Sequence, residues 1–115
     1  MIFMREKDKQ LLLIDLSARL FYKVIVKSVG ENKVIGLRDL RDIDNLPLPY
    51  LRPMSSMTEE EIDEFTQFEI YADGEYIMPN YRAIDWLDKN MFDYRGLIPK
   101  GLAIEVTESN NPYKD

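Results

Sequence analysis

The sequence predicts an α+β domain. A small antiparallel sheet, made of an N-terminal hairpin and a C-terminal strand, packs with two to three short helices. Three observations point there. Residues 8–20, DKQLLLIDLSARL, space apolar side chains as a helix does. The next stretch, FYKVIVKSV, alternates them as a half-solvated strand does. From Thr58, TEEEIDEF carries a full set of helix-start signals. The order helix, hairpin, connector, helix, helix, strand selects the α+β class.

In the first helix, Leu12, Leu13, Leu16 and Leu20 share one face, and Asp8 is the expected cap. The hairpin is expected over 21–38. Tyr22, Val24 and Val26 form one face, Lys23, Ile25 and Lys27 the other, and GEN at 30–32 supplies the turn. RDIDNLPLPYLRP then holds prolines at 47, 49 and 53. Proline cannot donate to a ladder, so this segment is expected to be an extended connector, lying across the core. Thr58 and Glu61 form a capping box, with Met57 and Ile62 as its hydrophobic staple. Glu59, Glu60 and Glu61 fall where the positive end of the helix dipole favours acids. Ile62, Phe65 and Phe68 mark its expected buried face. The Asp-Gly pair of YADGEYI signals a turn. Residues 80–90 read as a further helix. Its cap is Asn80, Ala83, Ile84 and Leu87 point inward, and Trp86 lies beside them. Asn90 is expected to end it in the left-handed conformation. FDYRGLIPKG is a compact turn region, and LAIEV at 102–106 the final strand.

The 115 residues fit a single domain, with residues 1–8 and 107–115 expected as flexible ends. A domain of this size buries roughly two-thirds of its unfolded surface, enough for a core without staples. The absence of cysteine excludes disulfides, thiolate nucleophiles and Cys-ligated metal. The absence of histidine removes the commonest acid–base group and transition-metal ligand. Carboxylates, Lys, Tyr and an oxygen-only cation site remain open to catalysis. With no catalytic motif, the chain is expected not to be an enzyme and to hold no metal or cofactor. No apolar run approaches the ~20 residues of a membrane span. The mixed-charge start does not resemble a signal peptide, and the expected compartment is the cytoplasm. The net charge of −6 is concentrated: residues 57–75 hold eight acids and no base. That balance disfavours nucleic acid as a partner.

Three clusters are candidates for an interaction surface. Arg52, between Leu51 and Pro53, is either a recognition arginine for carboxylate or phosphate, or a donor to loop carbonyls. Ser55 and Ser56 lack an activating base and read as turn residues. Glu59, Glu60, Asp63 and Glu64 are either a solvated helix face or an imitation of a phosphate backbone; they lack the alternation and glycine of a metal loop. Asp93, Tyr94 and Arg95 are either an exposed binding knuckle or a capped turn with Tyr94 half-buried and Arg95 paired to an acid. Tyr71, Tyr76, Tyr81, Trp86, Phe92 and Tyr94 have mostly acidic neighbours and read as core packing, not base stacking.

PYLRPMSSMTEEE (49–61), AIDWL (83–87), FDYRGLIPKGLAIE (92–105) and the early LLLIDLSARLFYKVIVK carry a resemblance. They resemble a family of short uncharacterised proteins from Bacteroides-type gut bacteria and their phages and prophages, over about residues 10–105. The resemblance implies a genetic context and no catalytic residues. The chain departs from it after the last strand, where an EAPEGMY-like ending gives way to EVTESNNPYKD, and MIFMREKDK looks like an extension. The expectation is a non-catalytic protein-interaction module of phage, prophage or mobile-element origin, with a host or phage protein as partner. The alternatives are an anti-defence inhibitor using the acidic helix as a nucleic-acid mimic, and a carboxylate- or Mg-dependent enzyme.

Overall fold

The computed structural model describes residues 4–68 and 81–114. Helix α1 spans Glu6–Arg19. Asp8 lies in its first turn and Arg5 stands at the cap without a side-chain bond, so the helix starts earlier than its apolar pattern indicates. Leu12, Asp15, Leu16 and Arg19 are its buried residues, at i, i+3, i+4 and i+7. Leu12 and Leu16 face inward as expected, but two charged residues, and not Leu13 and Leu20, complete the buried set.

A single 3-10 turn, Leu20–Tyr22, extends α1, and Lys23 takes a left-handed φ of 57°. The chain then enters β1, Ile25–Ser28, and returns as β2, Glu31–Val34. Val24 and Val26 are buried as expected. The turn is Val29–Gly30, with Glu31 and Asn32 already paired in β2. Two-residue hairpins match the strand twist through type I′ or II′ turns, and type I′ takes positive φ at both central residues. Val29 adopts 51° and Gly30 79°. A β-branched residue is strained there, and Val29 is fully exposed.

The proline-rich connector is a strand. β3, Leu48–Leu51, sits inside a four-stranded sheet of order β2-β1-β3-β4, where β4 is Ile104–Glu105. The reason lies in the register. Ile35 donates to the Val24 carbonyl at 2.9 Å. The alternation of an antiparallel ladder then directs Val26's backbone groups to β2 as well. Pro49 lies opposite Val26, so β1 asks it for no N–H. The β3–β4 pairing is parallel, which makes the sheet mixed and not wholly antiparallel. The α+β class holds.

Helix α2, Glu59–Thr66, begins with the expected capping box. Thr58 Oγ1 accepts from Glu61 N–H at 3.1 Å, and Glu61 Oε1 accepts from Thr58 N–H at 3.0 Å. Helix α3 covers Tyr81–Lys89. Asn80, Tyr71, Tyr76 and the Asp-Gly turn lie outside the described residues. At the end of α3 the left-handed residue is Met91, φ 60°, and not Asn90. Phe92 N–H reaches Leu87 O at 2.9 Å and Met91 N–H reaches Asp88 O at 3.2 Å. Those bonds form a Schellman end with methionine in the glycine place. Asn90 instead donates its amide to Trp86 O at 2.9 Å.

The core joins Leu12 and Leu16 of α1, Val24, Val26, Ile35 and Leu51 of the sheet region, and Met91, Leu97 and Leu102. The C-terminal segment, expected to fray, is anchored by Tyr113. Its hydroxyl accepts from Ile25 N–H at 3.0 Å and donates to Tyr50 O at 2.8 Å. It thus occupies the place where β1 and β3 diverge, and burial pushes its ionisation upward. Among the described residues, no helix is long and apolar enough to cross a membrane.

Candidate functional site

Arg52 organises the first cluster. Its N–H and C=O bond to Met91 O at 2.7 Å and Asp93 N–H at 2.8 Å, which ties the end of β3 to the end of α3. Its guanidinium donates to both carboxylate oxygens of Glu61, each at 2.7 Å, and to Ser56 O at 3.2 Å. The same group lies over the Phe92 ring, 4.2 Å from the centroid. Phe92 stacks on Trp86 at 5.6 Å, and Trp86 meets Phe65 at 5.6 Å and Phe68 at 6.3 Å. Trp86 Nε1 donates to Glu64 at 2.8 Å. A closed circuit results: from α2 through Glu61 to Arg52, then Phe92, Trp86 and back to α2.

This circuit explains a difference from expectation. Glu61 and Phe65, four apart, take the inward positions of α2. Ile62 is turned about 100° away by the helical repeat and is 46% exposed. The Arg52 guanidinium beside Glu61 is the first cause holding that carboxyl down at about 2, with the Thr58 N–H adding to it.

The knuckle over residues 54–63 is thus braced from beneath. Its outer side chains point away. Met54, Ser55, Glu59, Glu60, Ile62 and Asp63 are exposed. Glu59, Glu60 and Asp63 form no ion pair among the described residues. Ser56 donates its hydroxyl to Pro53 O at 2.7 Å. Arg52, Ser56 and Glu64 therefore spend their polar groups inside the chain, while Ser55, Glu59, Glu60 and Asp63 do not.

The second cluster joins Asp93, Tyr94 and Arg95 to residues the sequence reading passed over. Asp93 is buried and accepts from Leu97 N–H at 2.8 Å and Ile98 N–H at 2.9 Å, capping the 97–101 turn. Tyr94 is half-buried and donates to Asp88 at 2.8 Å. Arg95 bonds Asp15 at 2.7 Å and Asp88 at 3.5 Å, and lies over the Tyr94 ring.

At the centre, Arg19 is fully buried. It makes two 3.0 Å bonds to Asp15 and donates to Phe92 O at 2.6 Å. Longer contacts reach Leu87 O at 3.5 Å and Asp88 O at 3.4 Å. A cation among the last carbonyls of α3 also faces the negative end of that helix's dipole. Burial raises the Asp88 carboxyl above the usual range, against the lowering pull of Tyr94, Arg19 and Arg95. Burial likewise pushes the Tyr94 hydroxyl up.

Asp15 and Asp88 each face a guanidinium, Asp93 is held by two backbone N–H groups, and no buried polar side-chain atom among the described residues lacks a partner. The cluster is suited to fixing α1 against α3, and it presents no free nucleophile. A signal for it existed in the sequence: Asp15 and Arg19 lie at i and i+4 on the face of Leu12 and Leu16. Among the described residues, no three acids converge to hold a metal ion. Compared with known proteins, the chain matches no family model, no curated protein and no solved structure.

Proposed function

We propose that the chain is a non-catalytic protein-interaction module, of the phage or prophage origin its resemblance implies. It docks a host or phage protein through the knuckle at 54–63. One observation carries this reading: the knuckle is fixed internally by Arg52, Glu61 and the aromatic circuit, yet its outer side chains are unspent. A pre-organised surface loses little entropy on binding. Exposed Met54 and Ile62 supply apolar contact, and Glu59, Glu60 and Asp63 select a basic partner surface. Nucleic-acid mimicry is the weaker use of these acids. The eight residues of α2 span only about 12 Å, too short to present acids along a phosphate-like track.

The test pairs an affinity pull-down from lysate of a Bacteroides-type host with two variants. E59Q/E60Q/D63N removes the outer charge, and M54S/I62S the apolar contact. One protein retained by the parent and lost by both variants, with unchanged circular dichroism, is the expected result. A partner bound equally by both variants refutes the knuckle as the docking face.

A further inference from the structure

A cleft of about 480 Å³ opens between the end of α3, the 3-10 turn after α1 and the anchored C-terminal segment. Its lining includes Tyr22, Arg52, Lys89, Asn111, Tyr113 and Lys114. The chain carries −6, yet among the described residues this lining has three cations and no acid. Arg52 is satisfied by Glu61 and acts as a wall. Lys89 and Lys114 differ: both are exposed, and neither ammonium has a partner among the described residues. Two described acids near this lining have partners in the chain. Asp85 accepts from the Tyr22 hydroxyl, and Glu61 holds Arg52.

Backbone geometry holds these cations at one cleft. The Schellman end of α3 fixes the chain after Lys89. The Tyr113 hydroxyl, seated between β1 and β3, fixes the residue before Lys114. The α3 dipole accounts for a cation at Lys89, but not for one at Lys114. Asn111 Oδ1 accepts from Tyr113 N–H at 3.0 Å, which leaves its amide nitrogen as a further donor.

We propose that this cleft binds a small, multiply charged anion of the phosphate class. Lysine ammonium groups are compact point charges that suit phosphate oxygens. The volume falls within the roughly 300–1,000 Å³ of small-molecule sites. It exceeds a bare phosphate, and the Tyr22 and Tyr113 rings line it where an organic portion would lie.

The test follows thermal unfolding of the full chain against pyrophosphate and against ADP, at ionic strength held constant with sodium chloride. The parent is expected to show a saturable rise in melting temperature. K89A/K114A changes two exposed side chains and should keep the fold. Losing two charge-assisted contacts should weaken binding at least about tenfold. K89R/K114R keeps the charge and should retain the rise. A markedly tighter response to ADP assigns the ligand to nucleotides, and equal responses assign it to the phosphate group alone. No rise with either probe at millimolar concentration, or equal binding by K89A/K114A, overturns the proposal.

Discussion

Replacing Arg19 with methionine tests the buried cluster most directly. The substitution keeps most of the side-chain volume and deletes the charge. Asp15, fully buried, loses two 3.0 Å bonds and keeps only Arg95 as a cationic partner. Phe92 O loses its 2.6 Å donor. Breaking a buried ion pair from one side costs about 3–5 kcal/mol, because a buried charge is left uncompensated. Against a typical total of about 5–15 kcal/mol, that is a large share. At about 4 °C per kcal/mol for a chain of this length, the melting temperature should fall by about 12–20 °C. Urea unfolding followed by far-ultraviolet circular dichroism reads the loss as a shift in midpoint at unchanged slope. The companion variant D15L/R19M removes both charges. It should be less destabilised than R19M alone, since apolar replacement of a buried pair is often neutral. Arg95 stands at the edge of the cluster and can turn to solvent. A cost under about 1 kcal/mol for R19M, or strict additivity in the double variant, would refute the cluster as a buried, coupled unit.

Three further outcomes are expected. The Glu61 carboxyl is held at about 2, below its unfolded value of 4.5, so its contribution is complete above about 4.5 and is lost as pH falls toward about 2. E61Q should therefore melt below the parent at pH 7, with the gap closing by pH 2; the gap is worth roughly 1 kcal/mol, since the pair stands near the surface. Tyr113→Phe leaves Ile25 N–H and Tyr50 O without their bridging hydroxyl, and should cost about 1–3 kcal/mol in urea unfolding; a neutral result would mean the hydroxyl is dispensable. Val29→Asn places a residue that tolerates positive φ in the hairpin turn, and should raise stability by about 1 kcal/mol, measurable as a higher melting temperature; a loss of stability would show that the valine is not strained.

The legible parts of this protein were those with local causes. The capping box at Thr58 and Glu61 formed as read, because both partners lie within one turn. The α1 face of Leu12 and Leu16 followed from period alone. The alternation of Val24 and Val26 placed them in the core. Some misses were local shifts of a residue or two, as at the α1 start, the Val29–Gly30 turn and the Met91 helix end. The larger ones had partners distant in sequence. Pro49 was read as barring a central strand, but the register of β1 and β3 leaves no donor required there. Ile62 was read inward, until Arg52 drew Glu61 into that place. The segment ending at Tyr113 was anchored by backbone groups of residues 25 and 50.

The candidate sites divide in the same way. Of the two readings of residues 93–95, the capped turn at Asp93 rests on short spacing, while the pairing of Arg95 with Asp15 needed the fold to bring α1 beside it. The sequence by itself determined the α+β class, the charge concentrated over 57–75, and the absence of Cys and His chemistry. Only the tertiary structure decided which charges are spent. Arg52, Glu61, Asp15 and Arg19 are consumed internally, while Glu59, Glu60, Asp63, Lys89 and Lys114 remain exposed without ion-pair partners among the described residues. The physical reason is that ion pairing depends on distances of a few ångströms between segments, and burial sets what each unpaired charge costs. Neither quantity is written in the order of residues along the chain.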